Sequence, residues 1–172
     1  CGGQFLSLSG SNAVVRLNKA SDCWGTFLSI SSGAGAIVEQ NTALRCAGTF
    51  VSVTGADAVV RQNKAMNSLG SISVNGDNAV VDQNQALTLG SITVTGDHLT
   101  IRKNTMAGAP NNRFGIYAFQ NSAAGAAVIE DNKVTDAASY GLYIHCNNAV
   151  VQRNRVSGAG TESGESGCFI GG

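Results

Sequence analysis

Seven times along the chain a short run of alternating apolar residues stops at an asparagine. The copies are NAVVRLN ending at Asn18, GAIVEQN at Asn41, DAVVRQN at Asn63, NAVVDQN at Asn84, HLTIRKN at Asn104, AAVIEDN at Asn132 and NAVVQRN at Asn154. Successive asparagines are 23, 22, 21, 20, 28 and 22 residues apart. A unit this short cannot bury its few apolar side chains alone, whereas coils stacked ~4.8 Å apart bury them jointly and pair each strand with the next. Before each copy stands a second alternating segment: FLSLS at Phe5, FLSIS at Phe27, FVSVT at Phe50, SISVN at Ser71, SITVT at Ser91, GIYAF at Gly115 and GLYIH at Gly141. Two or three short strands per unit, separated by glycine and asparagine turns, make one coil. The repeat therefore predicts an all-β, single-domain parallel β-helix over residues 1–172, a solenoid of about seven coils of roughly 22 residues without terminal caps.

Period-two alternation assigns the side chains to columns. Leu6, Leu28, Val51, Ile72, Ile92, Ile116 and Leu142 form one inward column of the first strand, and Leu8, Ile30, Val53, Val74, Val94, Ala118 and Ile144 a second. Val15, Val38, Val60, Val81, Ile101, Ile129 and Val151 point inward from the second strand. The asparagine column, Asn18, Asn41, Asn63, Asn84, Asn104, Asn132 and Asn154, falls at the strand end. There asparagine tolerates a left-handed turn, and its amide can bond to the same amide one coil away, so the column reads as a structural ladder.

Two residues before each asparagine stand Arg16, Glu39, Arg61, Asp82, Arg102, Glu130 and Gln152. In a parallel stack this alternation of sign forms a ladder of modest ion pairs in which repulsion would otherwise build up. A glycosidase needs two carboxylates facing across a cleft of roughly 5–9 Å, whereas Glu39, Asp82 and Glu130 are whole coils apart with arginines between them. His98 and His145 stand without a triad-like nucleophile, and no spacing of ligands suggests a metal or other cofactor.

Segment GIYAFQNSAAGAAVIEDNKVTDAASYGLYIHCNNAVVQRNRVSGAG resembles the right-handed parallel β-helix repeat of the pectate-lyase-like superfamily, most strongly over residues 113–158 and weakly elsewhere through V-x-x-N. The resemblance implies the fold more than a function, because that fold serves lyases, hydrolases, phage spikes, adhesins and inert structural proteins. None of the enzymes' catalytic motifs carries over.

Three surface features remain. The outward columns of the first strand are Ser7, Ser29, Ser52, Ser73, Thr93, Tyr117, Tyr143 and Ser9, Ser31, Thr54, Asn75, Thr95, Phe119, His145. The hydroxyl part has the character of an ice-binding face or of an ordinary solvated strand. Tyr117, Phe119, Tyr143 and His145, with nearby Arg113, suit either a carbohydrate or partner surface or an aromatic stack covered by a loop. Val14, Ile37, Val59, Val80, Thr100, Val128 and Val150 share a face with the charge ladder. Pointing outward, they would form an apolar stripe on the order of several hundred Å², large enough for a lateral interface; a bend in the strand would instead tuck them inward.

Cys1, Cys23 and Cys46 recur at one point in three consecutive coils, and Cys168 lies in the last strand-like segment. Disulfides, an intermolecular junction and buried thiols are all open to them. Lysine plus arginine equals aspartate plus glutamate at 11 each, so no broad field draws nucleic acid or anionic lipid, and no apolar run is long enough to span a membrane. Five cysteines among 22 glycines suit an extracellular or cell-surface setting. The chain begins and stops in register with its own repeat, so a second copy can extend the stack. The sequence thus favours a non-enzymatic structural protein whose partner is itself, in a filament, sheath or surface layer. The alternative is a carbohydrate-binding or depolymerising β-helix, with polysaccharide as partner.

Overall fold

A computed structural model describes residues 3–68, 70–87, 90–109, 114–159 and 168–171. Among these, 22 short strands and no helix form three parallel sheets, each coil contributing one strand to each sheet. The first sheet has eight strands, running from Leu6–Ser9 to Cys168–Gly171. The second runs from Val14–Arg16 to Ala149–Gln152 and the third from Lys19–Ser21 to Arg155–Ser157, with seven strands each. The molecule is a parallel β-solenoid of about seven turns.

The register is the one that alternation predicts. Leu6 lies beside Leu28, Val51 beside Ile72, Ile92 beside Ile116 and Leu142 beside Cys168. Val15 lies beside Val38, Val60 beside Val81 and Ile101 beside Ile129. Their side chains fill one continuous core in which Leu28, Ile72, Ile92, Ile101, Ile116 and Ile129 are wholly buried. In the outermost described coils Leu6, Leu8, Val151 and Val156 are only partly buried, because among the described residues a neighbouring coil packs on one side of them alone.

The third sheet carries little periodic signal. Its early strands are three residues long, KAS, TAL, KAM and QAL, and each sends a single small side chain inward: Ala20, Ala43, Ala65 and Ala86. Met106 and Val134 replace alanine where the coils are larger.

One expectation about the asparagines is corrected. The left-handed residue is the one before each asparagine: Leu17, Gln40, Gln62, Gln83, Lys103, Asp131 and Arg153 all have φ between 54° and 60°. A single left-handed residue turns the chain from the second sheet into the third, at a cost of roughly 1–2 kcal/mol for a side chain with a Cβ. The asparagine that follows is thereby aimed into the core. Asn41, Asn63, Asn84, Asn104 and Asn132 are buried, and each amide bridges coils. Nδ2 of Asn63 donates to Oδ1 of Asn84 at 3.0 Å, and Nδ2 of Asn84 to Oδ1 of Asn104 at 3.1 Å. The same Oδ1 atoms accept the backbone N–H of the preceding asparagine, at 3.0 Å for Asn63 and 2.9 Å for Asn84. The ladder runs unbroken from Asn18 to Asn154.

Candidate functional site

The charge column sits on the outer face of the second sheet, Glu39 beside Arg61 and Asp82 beside Arg102. Arg61 sends both Nε and Nη2 to Oε2 of Glu39, at 2.8 and 2.6 Å. Asp82 is largely buried and faces Arg102 at 3.3 Å, while Glu130 accepts from Gln152 at 2.8 Å and from Arg153 at 2.7 Å. All three carboxylates are thus engaged by a neighbouring coil, which leaves them no shared cleft. Arg61→Glu would put three acids in consecutive coils. It is expected to cost about 1–2 kcal/mol, part of it recovered at high salt, because one exposed pair is lost and two like-charge contacts are made. Urea denaturation at low and high salt measures this, and an unchanged midpoint would contradict stacking of the column.

Beside the charges, Val14, Ile37, Val59, Val80, Thr100, Val128 and Val150 are register neighbours. They point outward: Val14 and Val150 are 57% and 49% exposed, and those between them are half-buried against their own column neighbours. The strand does not bend to tuck them in.

On the first sheet the hydroxyl columns also face out, and over the last coils aromatic rings replace them. Tyr117 stacks on Tyr143 with centroids 5.3 Å apart and planes at 7°, and Tyr143 on Phe169 at 4.7 Å and 16°. Phe119 stacks on His145 at 5.2 Å and 11°, and Phe114 tilts against both Tyr117 and Tyr143. In-register stacking turns the ring faces toward one another and leaves mainly edges to solvent, with too little space between rings to admit a sugar. Arg113 lies outside the described residues.

Cys23, Cys46, Cys146 and Cys168 are thiols, and Cys1 lies outside the described residues. The expectation of disulfides is thus not met among the described cysteines. Cys168 is in the eighth strand of the first sheet, whereas Cys23 and Cys46 follow the first two strands of the third, so neither can reach it. Cys23 and Cys46 instead donate to carbonyls of their own coils, those of Ser21 and Leu44, each at 3.6 Å. Cys146 is buried, which pushes its thiol up to about 11.

Two features escaped the sequence reading. The left-handed glutamines form their own amide ladder, Gln40 to Gln62 and Gln62 to Gln83 at 3.2 Å each. Gln62 and Gln83, with Lys64, Gln85, Lys103 and Thr105, border a polar groove of about 420 Å³. The signal was the residue before each asparagine, which the left-handed turn throws outward. Asp97 pins the insertion of the long sixth coil, accepting from Ser122 Oγ at 2.6 Å and from the N–H groups of Ser122 and Asn121 at 3.0 and 3.2 Å. The serine hydroxyl, then these backbone donors, hold its carboxyl below the usual range. The resulting stability is present at neutral pH and lost in acid.

Among the described residues no group of three or more His, Cys, Asp or Glu could hold a metal ion, and no helix is long and apolar enough to cross a membrane. Compared with known proteins, the chain matches no protein family, no curated protein and no solved structure.

Proposed function

We propose that this chain is a non-enzymatic structural protein of the cell surface or extracellular space, built on a right-handed helix of the pectate-lyase-like kind, that associates with copies of itself into a filament, sheath or surface layer. The observation that carries this reading is the outward apolar column of the second sheet, held in register over seven coils beside a neutral charge ladder. A flat face of this kind gains by burial at ~25 cal/mol per Å² when it meets its own likeness. The extracellular setting rests on the glycine-rich, cysteine-bearing composition. The polysaccharide-binding alternative draws less support from the aromatic face, where the rings use their faces on one another.

Sedimentation velocity of the 172-residue chain tests the proposal. The wild type is expected to associate with rising concentration, and Val59→Asp/Val80→Asp to remain monomeric with an unchanged circular dichroism spectrum. A monomeric wild type at high concentration would defeat the assembly reading, and association undiminished in the variant would remove the stripe as its cause.

A further inference from the structure

The net charge of zero is unevenly shared among the sides of the coil. One outward column of the third sheet carries Lys19, Lys64, Lys133 and Arg155, with only threonine and glutamine between them. Lys103 stands at the adjoining corner, on the left-handed turn out of the second sheet. None of these five cations forms an ion pair with a described residue. Lys64 and Lys103 border the polar groove of about 420 Å³, which no carboxylate lines. Of the described acids on this side, Asp22 is bound to Arg45 at 2.6 Å and Asp131 to Arg153 at 2.8 Å, so Asp136 is the one that no cation engages.

The corner between the first and second sheets is the one that the third sheet does not share, and it has the opposite character. Its turns, at 10–13, 32–36, 55–58, 76–79, 96–98, 120–126 and 146–148, contain no lysine or arginine. Three consecutive ones contain Asp57, Asp77 and Asp97. Nδ2 of Asn78 donates to Asp57 at 2.9 Å and the N–H of Asp97 to Asp77 at 2.8 Å. These donors are neutral, so the exposed Asp57 and Asp77 keep uncompensated charges.

We propose that the acidic corner of one copy docks on the cationic third-sheet face of the next, in rows of parallel copies. This contact rests on the self-association reading above and adds to it a junction of unlike faces, separate from the apolar stripe. Both charged columns advance by one coil, ~4.8 Å, per step, so parallel copies keep them matched along their length. With the copies level, Asp57, Asp77 and Asp97 in coils three to five lie opposite Lys64 and Lys103 in coils three and five, with Lys133 one coil beyond. Corner and face are on opposite sides, so a plain sideways translation makes the contact, and repeating it gives an open row rather than a closed ring. An anionic lipid surface would use the cations alone and leave the acidic corner without a role. Exposed ion pairs are individually weak, so this contact strengthens and aligns an assembly that the stripe initiates.

Sedimentation velocity of the full chain tests the contact. Raising ionic strength from about 0.05 to 0.5 M should weaken wild-type association by roughly tenfold, because exposed pairs are screened. Lys64→Glu/Lys103→Glu and Asp57→Lys/Asp77→Lys should each weaken it by roughly tenfold or more at low salt. A mixture of the two variants should recover it, since each reversed side then meets a reversed partner. Glutamine already occupies both lysine columns, at Gln85 and Gln83, so Lys64→Gln/Lys103→Gln keeps the fold and should weaken association in the same direction. Circular dichroism checks the fold of every variant. Association unchanged in the lysine variants, or a mixture no better than its components, would overturn the contact while leaving self-association in place. A monomeric wild type would overturn both. Pelleting with phosphatidylglycerol but not phosphatidylcholine vesicles, lost in Lys64→Gln/Lys103→Gln while self-association is unchanged, would overturn it too and assign the face to anionic lipid.

Discussion

Asn84→Ala is expected to lower the unfolding free energy by about 3–4 kcal/mol, far more than an exposed polar truncation. Its Oδ1 accepts both the backbone N–H and Nδ2 of Asn63 at 3.0 Å, and its Nδ2 donates to Val60 O at 2.8 Å and Asn104 Oδ1 at 3.1 Å. Deleting the amide strands at least one buried donor, the backbone N–H of Asn63, and each such orphan costs about 1–3 kcal/mol on top of the bonds lost. Asn84→Asp separates the two halves of the amide. It keeps both accepting bonds but sets an oxygen against two other oxygens, so it should be less harmful in acid, where a protonated carboxyl can donate, than at neutral pH. Thermal or chemical unfolding measures both. A loss below about 1 kcal/mol for the alanine variant would mean that the ladder carries little of the fold.

The second large effect is steric. A Cβ on Gly76 would fall on the carbonyl of Gly55 in the preceding coil and press on the N of Ala56, and backbone cannot rotate away as a side chain can. Gly76→Ala is expected to cost about 3 kcal/mol, at the upper end of ordinary overpacking. Gly3→Ala is the matched control, because a Cβ there meets nothing within 4 Å. Melting temperatures of the pair decide the point, and equal values would contradict close contact between coils at this corner.

The first sheet was legible because four-residue segments such as LSIS and VSVT alternate large apolar with small polar residues, and the second because its short strands, such as VVR and IVE, recur at a fixed distance before each asparagine; register follows once one side of a strand is buried. The third sheet was not, since a three-residue strand with one small inward alanine, followed in TAL, KAM and QAL by an outward apolar residue, has no period to read. The asparagine ladder was foreseen, but its left-handed partner was misplaced by one residue. Propensity favours asparagine for that conformation, yet asparagine is needed in the core, so glutamine, lysine and even Leu17 bear the strained backbone. The apolar stripe and aromatic columns could be placed from alternation. The polar groove depends on how the turns close, which alternation does not encode.

The charge ladder also marks coils by parity. Glu39, Asp82 and Glu130 belong to the second, fourth and sixth coils, and Arg16, Arg61 and Arg102 to the first, third and fifth. Near-identical coils invite a growing stack to skip one and pair with the next. Within the first six coils, a skip of one would set acid on acid or arginine on arginine, whereas a skip of two would restore opposite signs. The outer face thus works as a one-bit check during folding, and the lengths open to such a solenoid at low electrostatic cost differ by two coils at a time.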